Sequence, residues 1–149
     1  MRRTNHSSLK DKIINLLKNM TLEEKIGQLV QFGSFKELEK QLVHDGEIGS
    51  LLNFCGSSEV SDIQREIMRS KCKVPLLIGD DVIHGYKTGF PIPLAESCSF
   101  DLELIEETAA VAAREAASEG VNVIFAPMVD ITRDPRWGRV AEGAGEDVY

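Results

Sequence analysis

Three short, mostly apolar runs limit the folds open to this chain more than any other feature. They cover residues 48–54, 74–79 and 121–127, and each has the length of a strand, not of a buried helix. Their residues are apolar on both faces instead of alternating, which is typical of parallel strands covered on both sides. Segments with helical periodicity, 57–71 and 101–119, separate them. The pattern predicts an α/β fold with a parallel sheet and right-handed crossovers.

The remaining helices are predicted from caps and apolar spacing. Residues 9–20 have a helical pattern, and residues 1–8 before them are predicted to be a flexible arm. Thr21 and Glu24 have the spacing of a capping box, so a second helix should begin after Thr21, with Gly33 as its natural end. A third helix is predicted over residues 35–43, and Ser58 and Asp101 are the predicted N-caps of the two later helices. The stretch from residue 80 to about 99 is predicted to be a polar loop.

Composition excludes several classes of protein. With 149 residues and 42% hydrophobic content, the chain can bury a core, so neither disorder nor a disulfide-stapled miniprotein fits. A net charge of −7 argues against nucleic acid or an anionic membrane as the main partner. Three cysteines, an odd number without a CxxC pair, predict no zinc site and no closed disulfide framework, and they suggest a reducing compartment. With no bilayer-spanning run and no apolar signal core near the N-terminus, the predicted location is cytoplasmic.

Polar residues follow the second apolar run, where a parallel sheet places its chemistry. Asp80, Asp81 and His84 could hold a metal ion, but neighbours on extended chain point to opposite sides, which argues against a shared ion. His84 fits better as a histidine held by loop backbone groups. A single inward carboxylate can instead accept hydrogen bonds from two neighbouring hydroxyls, which is how proteins grip sugars.

The loop after the third run, residues 130–147, interleaves arginines with carboxylates. A mutual ion-pair network that fixes the loop is one interpretation. The other is an arginine that donates to a substrate hydroxyl in the fork geometry of its guanidinium. Trp137 could stack on a sugar or act as a packing wedge. Phosphate-loop, GxSxG and HExxH motifs are absent from the sequence, so the residues by themselves indicate a strand-end site for a polyol or an anion.

Three stretches together resemble glycoside hydrolase family 3, most closely its bacterial β-glucosidases. The first is TLEEKIGQL at residues 21–29, and the second is DVIHG at 81–85, followed by Phe90 and Pro91. The third begins as APMVD at 126–130 and continues through RDPRWGR at 133–139 to GED at 145–147. The long third stretch carries most of the specificity, since DVIHG by itself is a weak signal.

This resemblance implies a catalytic domain of the (β/α)₈ barrel type. Residues 9–149 would form its N-terminal portion, about three βα units of an incomplete TIM-type barrel. The implied reaction is retaining hydrolysis of terminal non-reducing β-D-glucosyl residues by two carboxyl groups, with no cofactor and no metal. Asp81 would hold sugar hydroxyls in the −1 subsite with Arg139 as its partner. The resemblance also implies that five other residues brace the loop that carries Arg139, namely Arg133, Asp134, Arg136, Trp137 and Glu142.

The nucleophile and the acid/base residue would lie beyond the equivalent of Tyr149, so no catalytic residue is assigned within this sequence. The isolated chain is therefore expected to be inactive, and its expected partner is a small β-glucoside or oligosaccharide. Two alternatives stay open. One is a β-xylosidase or another exo-β-glycosidase of the same family, and the other is a non-catalytic carbohydrate-binding remnant.

Overall fold

The computed structural model describes residues 6–33 and 37–147, with side chains for 9–33 and 40–147. The chain divides into two compact units, Met1–Leu51 with Asp62–Leu76, and Leu52–Ser61 with Leu77–Tyr149. In chain order the elements are α1 His6–Asn19, α2 Leu22–Gly27, β1 Gln31–Phe32, α3 Glu37–Asp45, β2 Ser50–Leu52, α4 Ser57–Ile67, β3 Leu77–Asp80, α5 Pro93–Ser97, α6 Leu102–Ser118, β4 Val123–Ile124 and a 3₁₀ turn at Val140–Glu142.

All strand pairs within the units are parallel. In the first unit β1 pairs with β2, so that Gln31 lies opposite Ser50. In the second unit β3 pairs with β4, and Gly79 lies opposite Val123. The predicted α/β class with parallel strands is thereby confirmed. The described residues contain four strands, however, because Gln31–Phe32 is a strand where the sequence pattern predicted a continuing helix.

The capping box that was predicted at the start of α2 is present. The Thr21 hydroxyl accepts from the Glu24 N–H at 3.1 Å, and the Glu24 carboxylate accepts from the Thr21 N–H at 2.8 Å. The helix ends at Gly27, well before the predicted Gly33. A Cβ at Gly27 would lie 2.6 Å from backbone atoms of Gly46 and Glu47, so glycine permits this close approach of two chain segments. The chain then leaves the helix and enters β1.

The first unit buries one set of apolar side chains and exposes another. Val43, Ile48, Leu51, Ile67 and Leu76 are almost fully buried. Exposed large apolar side chains of α1 and of the segment that begins with α2 are Leu9, Ile13, Ile14, Leu16, Leu17, Leu22, Ile26 and Leu29. These stripes have the helical spacing that the sequence predicts, but the described residues leave them largely uncovered.

Helix boundaries differ from the predicted ones by a few residues. Helix α1 begins at His6 instead of residue 9, and the first five residues of the predicted arm lie outside the described residues. The predicted start of the third helix, residue 35, also lies outside them; the helix ends at Asp45, before Gly46 with φ +79°. Ser58 lies within the first turn of α4 and is not its N-cap. Helix α5 occupies part of the predicted polar loop.

In the second unit, α6 packs through a face of small side chains. Its predicted N-cap is confirmed, since the Asp101 carboxylate accepts from the Leu104 N–H at 3.0 Å. Buried Ala112 and Ala116 form a cluster with Val82 and Val121, and Tyr86 packs against it. The small alanines let the helix approach closely. The loop that begins at Val82 is therefore anchored to α6.

Asn122 fixes the alignment of β3 with the segment leading into β4. Its backbone N–H donates to the Ile78 carbonyl at 3.0 Å, and its side-chain Oδ1 accepts from the Ile78 N–H at 2.8 Å. Farther along, the Phe125 N–H donates to the Asp80 carbonyl at 3.0 Å. These bonds hold the ends of β3 and β4 side by side.

Within the described part of the chain, no helix combines the length and apolar character that crossing a membrane requires.

Candidate functional site

The first half of the site is the turn that leaves β3. Asp80 is the last strand residue, and its carboxylate accepts from the Asp81 N–H at 2.8 Å. Val82 follows with φ +53°, an unfavourable conformation for a β-branched residue, and its side chain is buried in the α6 cluster. The favourable free energy of burying the Val82 side chain thus offsets the conformational cost of its backbone. The Asp80 carboxylate is engaged locally, while the Asp81 side chain is exposed.

Residues 84–90 form a closed loop after this turn. The Phe90 N–H donates to the His84 carbonyl at 2.8 Å, and His84 Nδ1 contacts the Phe90 carbonyl at 3.0 Å. Gly85 has φ +113°, and a Cβ there would lie 2.0 Å from the Thr88 carbonyl oxygen. The ring contact agrees with the interpretation that loop backbone groups hold His84, and the turn requires glycine.

Helix α6 holds the far side of this loop through Glu115. Its carboxylate accepts from the Lys87 N–H at 2.8 Å, the Thr88 N–H at 2.8 Å and the Thr88 hydroxyl at 2.7 Å. Lys87 also forms an ion pair with Glu119. The hydrogen bonds from Thr88, first that of its hydroxyl, lower the pKa of Glu115 below its ordinary value. The charged carboxylate is therefore the form that holds the loop.

We predict that acid releases this hold on the loop. Since the folded-state pKa of Glu115 is lowered, its stabilising contribution is present above the ordinary value of 4.5 and is lost as the pH falls through the lower folded-state value. The amide ¹⁵N shift of Thr88 should titrate with a midpoint below 4.5. Glu115→Gln should remove that titration, and an unchanged titration in this variant would contradict the assignment.

The second half of the site is the loop after β4. Arg136 Nε donates to Asp134 Oδ1 at 2.9 Å, as does the Arg136 backbone N–H. This pairing raises the pKa of Arg136 and lowers that of Asp134. Arg139 Nε donates to Glu142 Oε2 at 2.9 Å across the 3₁₀ turn, and Arg139 Nη2 donates to the same oxygen. Ion pairs therefore brace the loop at these two arginines, as one interpretation of the sequence holds.

The two candidate sugar-binding residues lie at one depression. We call it the strand-end depression, and its lining residues are Asp81, Ile83, His84, Arg139 and Glu142. The pKa of Arg139 is raised, first by the Glu142 hydrogen bond and further by the negative charges of Glu142, Asp130 and Asp81. The structure thus brings Asp81 and Arg139 together, although they belong to different loops.

His84 and Glu142 belong to the same depression, but sequence reasoning did not place them there. Glu142 lies three residues after Arg139, a spacing at which side chains meet on a helical turn, so this pair could have been found. The contact of His84 with Phe90 has no comparable local signal. Ile83, His84 and Glu142 also line a neighbouring cavity of about 390 Å³, whose walls include Ile105, Ala112 and Pro127.

The chemistry of the strand-end depression suits hydroxyl groups. It combines carboxylate acceptors with a guanidinium donor, a pattern that matches a neutral polyol.

Trp137, half-buried, donates its backbone N–H to the Asp134 carbonyl at 3.1 Å and so belongs to the braced turn. Among residues 6–33 and 37–147 no group of three or more histidine, cysteine or acidic side chains could hold a metal ion.

The chain is similar to several known glycosidases. It is 43% identical over 142 residues to the periplasmic β-glucosidase of Salmonella typhimurium, covering 92% of this chain and 19% of that protein. It is 30% identical to β-xylosidase/α-L-arabinofuranosidase 1 of Medicago sativa, covering 96% of this chain and 17% of that protein. The crystal structure of β-glucosidase from Listeria innocua in complex with glucose matches with a TM-score of 0.79 and 42% identity, covering 92% of this chain and 21% of that one.

The predicted cytoplasmic location is wrong. The Salmonella typhimurium relative is named a periplasmic enzyme, which contradicts the prediction. The prediction rested on an odd number of cysteines and on the absence of a recognisable signal. Neither observation decides the compartment, because free thiols such as Cys55, Cys72 and Cys98 do not require a reducing environment.

The family of the chain follows from these similarities. The chain spans about a fifth of the length of these relatives, so the likeness concerns one part of each. The match to the solved β-glucosidase also confirms the predicted fold, the N-terminal portion of a barrel domain. The model described as "Glycosyl hydrolase family 3 N terminal domain" matches residues 21–149. The chain belongs to glycosyl hydrolase family 3.

Proposed function

We propose that this chain supplies part of the −1 sugar subsite of a retaining β-glucosidase, which hydrolyses terminal non-reducing β-D-glucosyl residues. The observation that carries the proposal is the position of Asp81 and Arg139, which follow the paired strands β3 and β4 and line one depression. Carboxyl ends of parallel strands are where barrel enzymes bind their substrates. A small β-glucoside or oligosaccharide is the corresponding substrate.

Each residue has a definite part in this proposal. The Asp81 carboxylate accepts hydrogen bonds from two adjacent hydroxyls of the terminal sugar, and Arg139 donates to a neighbouring oxygen. Glu142 binds Nε and Nη2 of Arg139 through one carboxylate oxygen. The guanidinium keeps further N–H groups for the sugar, and the ion pair restricts its rotation. Substrate binding then costs less conformational entropy.

The catalytic carboxyl groups are proposed to lie outside this sequence, with residues 9–149 as the first part of the barrel. The loop carboxylates are poor candidates for these roles. A general acid requires a raised pKa, whereas the pKa of Asp134 is lowered by Arg136. Glu142 is engaged with Arg139. This chain spans only about a fifth of the length of these relatives. That is consistent with a nucleophile and an acid/base residue supplied elsewhere.

A β-xylosidase is the second candidate. The similarity to a β-xylosidase/α-L-arabinofuranosidase favours it. Asp81 and Arg139 would contact hydroxyls that glucose and xylose share, since the two sugars differ only at C5, where xylose lacks the hydroxymethyl group. A non-catalytic carbohydrate-binding remnant is the third reading, and it predicts sugar binding without turnover.

Parallel assays test the proposed function. The polypeptide encoded by the complete reading frame and the 149-residue chain should both be assayed with p-nitrophenyl β-D-glucoside and β-D-xyloside. We expect the complete polypeptide to hydrolyse the glucoside with retention of configuration and the 149-residue chain to show no turnover. A preference for the xyloside would favour the second candidate. Sugar binding without turnover by the complete polypeptide would contradict the enzyme proposal.

A further inference from the structure

We propose that His84 is an additional sugar-binding residue, whose Nε2 accepts a hydrogen bond from a substrate hydroxyl in the strand-end depression. This inference rests on the proposed glycosidase function and adds a contact to the same subsite. It arises from the position of the ring: His84 lines the depression together with Asp81 and Arg139, although the turn after Asp81 separates it from that residue in the chain.

The contact with Phe90 determines which ring nitrogen is available. His84 Nδ1 lies 3.0 Å from the Phe90 carbonyl oxygen. A carbonyl oxygen only accepts hydrogen bonds, so Nδ1 carries the proton in this contact. In the neutral imidazole the other nitrogen, Nε2, is then an acceptor. The loop thus presents one specific tautomer.

The loop also holds the ring in place before any ligand binds. The Phe90 N–H donates to the His84 carbonyl at 2.8 Å, so the two residues are joined by a backbone and a side-chain contact. Glu115 of α6 holds the same loop at Lys87 and Thr88. A preorganised acceptor loses little entropy when a ligand binds.

The other groups of the depression make an acceptor at this position useful. Arg139 only donates hydrogen bonds, and one oxygen of Glu142 is already engaged by it. The hydroxyls of a pyranose ring both donate and accept, so several of them need acceptors when they leave water. Asp81 provides acceptors on one side, and Nε2 of His84 provides another. Nε2 of His84 would therefore accept a hydrogen bond from a different hydroxyl from those that Asp81 binds.

A structural role of the ring can be separated from a binding role by two substitutions. In His84→Asn the amide nitrogen approximates the position of Nδ1, so the hydrogen bond to Phe90 is preserved while the Nε2 acceptor is lost. In His84→Gln the amide group reaches the position of Nε2, but the bond to Phe90 is lost. A residue that only holds the loop should tolerate Asn better than Gln, whereas a sugar-binding residue should show the reverse order.

The test uses the polypeptide of the complete reading frame and a series of substrates. Each variant is assayed with p-nitrophenyl β-D-glucoside and with its 2-deoxy, 3-deoxy, 4-deoxy and 6-deoxy analogues, and the thermal midpoint of each variant is recorded. We expect His84→Asn to lower kcat/KM for the glucoside about tenfold, the effect of one hydrogen bond. One analogue lacks the hydroxyl that His84 binds, and on this analogue the same substitution should not lower kcat/KM further.

The outcomes separate this inference from the function on which it rests. Suppose that the unmodified polypeptide hydrolyses the glucoside. If His84→Asn then has the same kcat/KM as the unmodified polypeptide, or if its kcat/KM falls by the same factor on the glucoside and on every analogue, the inference about His84 is wrong and the proposed function stands. If the unmodified polypeptide does not act on β-glycosides, the proposed function fails first. Should His84→Asn not fold, the crystal structure of the unmodified polypeptide with bound glucose decides: we expect a sugar hydroxyl within about 3.2 Å of His84 Nε2, and the absence of any hydroxyl at hydrogen-bond distance would overturn the inference.

Discussion

Replacing Asp81 by alanine is expected to lower kcat/KM for p-nitrophenyl β-D-glucoside at least about 100-fold in the polypeptide of the complete reading frame. The substitution removes the charge-assisted hydrogen bonds that the proposed function assigns to Asp81 and two sugar hydroxyls, and each such bond contributes more than a neutral one. The strand-end depression keeps Arg139 and Glu142, so the loss reports on the carboxylate. Asp81→Asn, which keeps one acceptor oxygen, should give an intermediate loss.

A matched control for this prediction lies on α4. Asp62 is also an exposed aspartate with an arginine partner, Arg65, but it is not among the residues that line the depression. Asp62→Ala should leave kcat/KM within about twofold, since exposed ion pairs contribute little. Activity of Asp81→Ala within the same range would show that Asp81 is not a sugar-binding residue.

The second large effect is expected at Gly85. A Cβ at this position would lie 2.0 Å from the Thr88 carbonyl oxygen, and φ is +113°. Gly85→Ala should therefore force the loop of residues 84–90 apart and lower the free energy of unfolding by about 3 kcal/mol or more. Urea denaturation of the chain measures this loss. In the polypeptide of the complete reading frame, KM for the glucoside should rise as well, because His84 belongs to the same turn.

Gly89 is the natural control in the same loop. A Cβ there would meet no atom within 4 Å, and its φ lies outside the left-handed range. Gly89→Ala should change the free energy of unfolding by less than about 1 kcal/mol. Equal effects of the two substitutions would mean that the loop adapts to a side chain at Gly85.

Much of the fold could be predicted from the sequence because its signals are local. The capping box at Thr21 and the N-cap at Asp101 depend on residues three apart, and both are present. Strand β1 could not be predicted, since it has only two residues and Phe32 continues the apolar spacing of the helix before it. The last residue of that helix, Gly27, lies close to the chain at Glu47, a long-range contact that local sequence does not reveal. Helix α5 was missed for a different reason, because five residues beginning with Pro93 make a weak periodic signal.

The site divides in a similar way. The positions of Asp81 and Arg139 were inferred from resemblance to a family, and no periodicity or spacing in the chain relates them. Their proximity depends on the pairing of β3 with β4, which is a long-range contact. His84 had been interpreted correctly as held by backbone groups, but the partner, Phe90, could be identified only after the loop had closed. Residues that act through tertiary contacts leave little trace in local sequence.

The paired hydrogen bonds between Asn122 and Ile78 have a consequence for recognition. Successive side chains of a strand face opposite ways, so a shift of one residue in β3 would turn the Asp81 carboxylate away from Arg139. An amide side chain outside the depression thus helps to set which carboxylate faces Arg139. Under the proposed function, loss of this alignment at Ile78 would weaken sugar binding without changing any residue that lines the depression.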